Sequence, residues 1–284
     1  MGINEWVNSA EDPRSREFRQ AVRTLFAAIA RKSRLREEMI IKGGVLLAAK
    51  FDSSRFTMDV DFSTDRSYSA FDEGAFLAEM SEALAAAADD LDFGLDCRIQ
   101  SHEVRPASED KNFQTLKIKI GYAYKGTKKH KKLAVGSCPT VLKVDYSFNE
   151  RNTYIDLLEL GEGESLKAYS VADVVGEKLR AIIQQKTRNR NRRQDAYDIF
   201  WLLEKGFLAE ENLKGKILSS LIEKTKARGL EARRDSLDDE ETINRSRAYY
   251  DTLRQEIAGD LPDFEKCYGS VNKYYKSLPW NKFY

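Results

Sequence analysis

The segment Lys42–Asp61, KGGVLLAAKFDSSRFTMDVD, decides how this chain is read. Gly43 and Gly44 follow a short apolar run, Met39-Ile40-Ile41, whose brevity and β-branching predict a buried strand. Paired glycines at a strand-to-helix junction let the backbone approach a phosphate closely. The helix that starts there, VLLAAK, offers free N–H groups to it. The chain then returns as a strand, predicted over residues 53–63, SSRFTMDVDFS. Side chains alternate along a strand, so Asp59 and Asp61 share one face while Val60 points into the core. Two carboxylates beside a glycine-lined cradle are the donor set of a magnesium nucleotide site.

A bare D-x-D occurs often by chance, so the context has to carry it. Upstream, Phe18, Val22, Leu25, Phe26 and Ile29 recur at spacings of three and four, which predicts a helix over 14–36. Downstream, Asp72 stands where it can cap a helix through GAFLAEMSEALAAAADDL. Residues 95–150 then alternate as antiparallel strands in LDCRIQSHEVR, QTLKIKIGYAY and TVLKVDYSFN. In the last of these, Leu142, Val144, Tyr146 and Phe148 form one face, and Asp145 is a third carboxylate on the other. The lysine-rich connection GTKKHKKLAVG, 126–136, reads as an exposed loop.

Glycines and acids in LGEGES, 160–165, mark a boundary, giving one domain over 1–165 and a second over 166–284. The second reads as helical. Ser170 with Asp173 resembles a capping box opening VADVVGEKLRAIIQQ, and a further helix runs from Arg193 to Gly206. More helices are expected over 209–228, 240–258 and 263–277. The fold class is therefore α+β in front, helical behind.

Two anomalies lie in those helices. Lys178 falls inside the apolar stripe of Val171, Val174, Val175, Leu179, Ile182 and Ile183, whereas Glu177 falls opposite, within reach of Arg180. A lysine there either snorkels or meets an anion, and a phosphate cradle elsewhere in the chain supplies one. Asp195 and Asp198 are neighbours on the next helix, and Asp195 shares its face with Ile199 and Leu202. The alternative for both acids is a first-turn position paired with Arg192 or Arg193. The run Lys186, Arg188, Arg190, Arg192, Arg193 is either a solvated loop or a phosphate-contacting surface for RNA.

Bulk properties exclude several classes. The 284 residues carry 47 basic and 46 acidic side chains, so attraction to nucleic acid must come from local patches. Three scattered cysteines suit a reducing compartment, and two histidines without close cysteine pairs leave no zinc site. No apolar run spans a membrane and the polar start is unlike a signal peptide, which predicts a soluble, cytoplasmic protein. Neither G-x-x-x-x-G-K-[ST] nor G-x-G-x-x-G occurs, so P-loop and Rossmann sites are out.

KGG, then R-x-T-x-D-x-D, then V-x-E-K-L-R-A, then R-x-D-x-x-D-I-F, in this order, resemble the AbiEii family of nucleotidyltransferases. These are toxins of type IV toxin–antitoxin and abortive-infection (antiphage) systems within the polymerase-β-like superfamily. The resemblance covers roughly 38–205. It implies a mixed-sheet nucleotidyltransferase domain and a helical domain completing the active-site cleft. It places the metal-binding acids at Asp59 and Asp61, with Asp145 as third carboxylate, the essential lysine at Lys178 and the motif aspartate at Asp195. Lys42, Gly43, Gly44, Arg55, Thr57 and Asp198 would contact the nucleotide. The implied reaction is Mg²⁺-dependent transfer from an NTP to RNA, notably the tRNA 3′ end, countered by a cognate antitoxin. Transfer to a small molecule or a protein, or a catalytically silent nucleotide-binding regulator, are the competing functions.

Overall fold

The computed structural model describes residues 2–107 and 112–282. The chain divides into two compact units. The first comprises 1–52, 57–150 and 156–168, and the second comprises 53–56, 151–155 and 169–284.

The first unit is built on one mixed sheet. Its helices are α1 (Ile3–Asn8), α2 (Pro13–Arg31), α3 (Ser33–Glu38), α4 (Gly43–Phe51), α5 (Glu73–Asp90) and α6 (Lys128–Ala134). Its strands are β1 (Ile40–Lys42), β2 (Asp59–Ser63), β3 (Leu95–Arg105), β4 (Thr115–Tyr124), β5 (Val141–Ser147), β6 (Ile155–Gly161) and β7 (Glu164–Tyr169). They lie in the order β3-β4-β5-β2-β1-β7-β6. β2 runs parallel to β5 and antiparallel to β1, and β1 pairs parallel with β7.

Alternation sorts the two faces. Val60, Phe62, Leu116, Ile118, Leu142, Val144 and Tyr146 are all buried, while Asp59, Lys119 and Lys143 between them are exposed. The apolar stripe of α2 contributes Phe26, which meets Phe62 edge-on at 6.3 Å. Phe76 of α5 stacks on Tyr146 at 5.5 Å. Both helices start where their caps direct. Asp12 accepts from the Arg14 and Ser15 amides with Pro13 at the first helical position, and Asp72 accepts from the Ala75 amide at 2.9 Å.

The second unit holds α7 (Val171–Ile183), α8 (Gln185–Arg188), α9 (Arg193–Glu204), α10 (Glu211–Ala227), α11 (Glu240–Arg247) and α12 (Phe264–Lys276). The Ser170 hydroxyl accepts from the Asp173 amide, opening α7 as its capping sequence predicts. Gly206 adopts φ +76° just past α9, the left-handed step that ends a helix. Gly176 lets α7 and α10 approach closely, since a Cβ there would stand 2.6 Å from Ser220 Oγ. Beside it, buried Asp173 accepts from Ser220 at 2.6 Å and from the Thr153 amide at 3.0 Å, and lies 3.3 Å from Lys224.

Several expectations need correction. The strand predicted over 53–63 is regular only from Asp59; Arg55 makes an isolated bridge to Ile257 within the second unit. The 126–136 stretch is not a loop, because Thr127 caps α6 by accepting from the His130 amide. LGEGES is the turn between β6 and β7, with Gly161, Glu162 and Gly163 all at positive φ, and the chain leaves the sheet unit at 168/169. The helix predicted over 240–258 stops at Arg247 and continues as a 3₁₀ segment, Tyr250–Gln255, because Tyr249 is left-handed.

Candidate functional site

The predicted site residues fall into two sets, one in each unit. In the first unit, β2 is the organising strand. Its parallel register with β5 puts Asp61 opposite Asp145 and Asp59 opposite Lys143, while β1 places Lys42 opposite Asp61 on the other side. With β4 and β3 added, one row across the sheet reads Glu103, Lys117, Asp145, Asp61, Lys42. Charges alternate along that row except at its centre, where two carboxylates are direct neighbours. Like charges opposite one another weaken a sheet, so this pair is a local cost that a cation would relieve.

The surroundings favour the acids. Lys117 Nζ donates to Asp145 at 3.2 Å, and Lys42 lies 3.7 Å from Glu150. Gly43, at φ +76°, is pressed so closely on Asp61 that a Cβ there would stand 2.1 Å from its Oδ2. Gly44 is packed in the same way on Thr57, whose methyl would lie 2.9 Å from an added Cβ. Lys42 precedes α4 with no side-chain cap hydrogen bond, and the helix opens at the glycine that packs on Asp61. Asp59 is more open, its side chain 59% exposed and 3.9 Å from Lys143. Among the described residues no group of three or more His, Cys, Asp or Glu side chains forms a metal cage. A divalent cation bound here would have the Asp61–Asp145 pair as donors, with Asp59 two residues away on the same face. That suits Mg²⁺, which takes one or two carboxylates and completes its shell with phosphates and water.

In the second unit, the buried lysine meets its anions. Lys178 Nζ donates to Asp195 Oδ1 at 3.0 Å and to Asp198 Oδ2 at 2.6 Å. Arg55 clamps Asp198 from the other side, Nε to Oδ1 at 2.8 Å and Nη2 to Oδ2 at 2.9 Å. Arg192 stands 3.8 Å from Asp195. Neither snorkelling nor a ligand is needed to account for the ammonium, because its own unit supplies two carboxylates. Glu177 pairs with Arg180, as its place on the helix predicts. Arg55, expected beside Thr57 at the nucleotide, belongs instead to this network, and only the fold could show it.

Asp198 and Lys178 are both pushed away from neutrality. Burial alone would raise the Asp198 carboxyl, but Arg55 and Lys178 outweigh it and hold it below the ordinary 3.8. Burial would lower the Lys178 ammonium, but Asp198 and Asp195 outweigh that and raise it above 10.5. The stabilisation from Asp198 is complete above its unfolded value and is lost as pH falls through the lower folded one. That from Lys178 is complete below its unfolded value and is lost as pH rises through the higher folded one. Thermal midpoints followed against pH should therefore drop at both extremes, and Asp198→Asn should remove much of the acid limb. An unchanged acid limb would contradict this assignment.

The basic run at 186–193 is largely engaged. Lys186 lies 2.8 Å from Asp239, and Arg193 lies 2.6 Å from Glu256. What sequence reasoning missed is the sheet's lysines. Lys117, Lys119 and Lys143 were readable as polar-face residues, but their neighbours depend on a register that is set by long-range pairing.

The comparisons follow the same line. The family model described as nucleotidyl transferase AbiEii toxin, type IV TA system, matches residues 23–270. No curated protein matches the sequence. Among solved structures, JHP933 from Helicobacter pylori aligns at TM-score 0.53 and 12% identity, covering 96% of this chain and 94% of that one. A candidate nucleotidyltransferase from H. pylori aligns at TM-score 0.52 and 12% identity, covering 95% and 96%. MenT4, nucleotidyltransferase toxin Rv2826c from Mycobacterium tuberculosis H37Rv, aligns at TM-score 0.48 and 13% identity, covering 97% of both. The H. pylori structures share the fold across nearly their whole length. With a family match extending from α2 into α12, the chain belongs to the AbiEii family of nucleotidyltransferase toxins.

Proposed function

We infer that this protein transfers a nucleoside monophosphate from an NTP to a hydroxyl of RNA, with the tRNA 3′ end as the favoured acceptor. The observation that carries the reading is the in-register Asp61–Asp145 pair, set against a helix start whose glycine touches Asp61. Asp61 and Asp145, joined by Asp59, would hold Mg²⁺, which supplies Lewis-acid polarisation of the phosphates and charge neutralisation of the leaving group. The amides opening α4 bind non-bridging phosphate oxygens, and Gly43 and Gly44 bring that helix start against Asp61 and Thr57 because no Cβ stands in the way. The acceptor hydroxyl oxygen bonds to the α-phosphorus as the bond to the β-phosphate bridge breaks, and pyrophosphate leaves. The carboxylate face takes up the hydroxyl proton.

Lys178 and Asp195 enter this proposal as a charged pair of the helical unit whose loss should cost transfer. A cognate antitoxin, as the family implies, would be the natural regulator, with growth arrest as the outcome when it is missing.

The test is incubation of the protein with each labelled NTP, Mg²⁺ and total tRNA. Label should enter RNA with one NTP favoured, and chelation should stop it. No label in any RNA, with label entering protein or a small molecule instead, would overturn the RNA reading. Gly43→Ala provides a structural check. It should cost about 1–2 kcal/mol from the left-handed backbone alone. It should also abolish transfer, because the new methyl would occupy the place of the Asp61 carboxylate. A fully active Gly43→Ala protein would remove the α4 amides from the site.

A further inference from the structure

Along β4, every second residue from Lys117 points to the carboxylate face of the sheet. Lys117 is opposite Asp145 and tied to it. One step further, Lys119 is opposite Lys143, and this row continues to Ser101 on β3 and Asp59 on β2. Ser101, Lys119, Lys143 and Asp59 are all exposed. Two lysines directly opposite on adjacent strands repel one another, and Lys119 makes no ion pair among the described residues. The Lys143–Asp59 contact, 3.9 Å between side chains 61% and 59% exposed, is too solvated to quench the charge.

The next position on that face, Gly121, carries α6. A Cβ on Gly121 would stand 2.7 Å from the Leu133 methyl, so α6 seats there by its apolar side. Its other sides are basic. Lys129 is engaged by Glu17 at 3.0 Å, but Lys128, Lys131 and Lys132 are exposed and form no ion pair among the described residues. From α6 towards β2 the face therefore presents unpaired lysines first, then the Lys119–Lys143 pair, and then the three aspartates.

We propose that Lys119, Lys143 and the exposed lysines of α6 form a phosphodiester track that leads an RNA strand along the sheet to the carboxylates. This rests on the RNA reading above and deepens it by naming the surface that holds the acceptor. A like-charge pair on neighbouring strands is relieved by a bridging phosphate, and successive lysines match successive phosphates of one strand. No aromatic side chain lies in the Lys119–Lys143 row, so the track binds backbone rather than bases.

The test uses the full-length chain made inactive by Asp61→Ala, with 5′-labelled tRNA as probe. Affinity is measured by anisotropy across a salt series. Lys119→Glu with Lys143→Glu should weaken RNA binding at least about tenfold and lower the salt slope by about 1.4, from two lost contacts to a single strand. Lys128→Glu with Lys131→Glu and Lys132→Glu should act in the same direction. NTP affinity should stay within about twofold, and Lys119→Arg with Lys143→Arg should retain RNA binding, which shows that charge and not packing is read. Unchanged RNA affinity and slope in the Glu variants would overturn the track while leaving the acceptor reading standing. A parallel loss of NTP affinity would also overturn it, assigning these lysines to the triphosphate. If the unmutated surface binds no RNA at all, the track and the acceptor reading fall together.

Discussion

Asp61→Asn and Asp145→Asn should each slow nucleotidyl transfer by on the order of 10³-fold or more, with little change in thermal midpoint. The two acids are register partners, and the row they occupy is charge-alternating everywhere except between them. The repulsion between the two carboxylates opposes the pairing that the backbone makes, so removing one charge should cost the sheet little. Asparagine keeps the size and can still accept a hydrogen bond, so folding should survive the loss of charge. Asp59→Asn should slow transfer less, because that side chain is the most open of the three. Rates of label incorporation and melting curves on the same preparations decide the matter. Full activity in Asp61→Asn would remove the pair from the chemistry, and unfolding of the variant would make it structural.

Asp198→Ala should be the most damaging single change in the helical unit, costing about 3–5 kcal/mol. Asp198 is 1% exposed and receives Arg55 through two hydrogen bonds and Lys178 through a third. Without it, Lys178 keeps Asp195 as its hydrogen-bonded carboxylate, and Arg55 loses both hydrogen bonds of its clamp. Asp195→Ala should cost less, because Lys178 keeps Asp198 and Arg192 is only 3.8 Å away and partly exposed. Denaturation midpoints, with hydrogen exchange of α7 and α9 to localise the loss, measure the difference. If Asp195→Ala proved the more damaging, the network would be centred on the wrong carboxylate.

The helical periodicities were legible in the sequence, but what they bring together was not, since Lys178 was expected to face a triphosphate and the two acids to pair with Arg192 or Arg193. Lys178, Asp195 and Asp198 stood out because charged residues occupied apolar faces, and those three side chains do meet. Asp59, Asp61 and Asp145 were likewise visible as polar-face acids. The sequence was silent on partners fixed by distant pairing. Arg55 lies 143 residues from Asp198, and no local pattern reports a contact of that length. Local signals also had two readings in places. The glycines of LGEGES serve a turn as well as a linker, and the lysines of α6 obscured a helix that Thr127 starts by its cap.

Residues 53–56 and 151–155 belong to the helical unit although the chain on both sides of each belongs to the sheet unit. The two units are therefore stitched rather than strung together, and no single cut separates them. A fragment beginning at Tyr169 would lack Arg55, the clamp on Asp198. It would also lack the Thr153 amide that satisfies Asp173 and the Arg151 carbonyl that receives Lys224. Such a fragment keeps the Lys178–Asp198 and Asp173–Lys224 pairs but leaves each short of a partner, so the helical half is less stable as a separate module. Truncation or fusion at the 168/169 crossing would take residues 53–56 and 151–155 away from the helical unit.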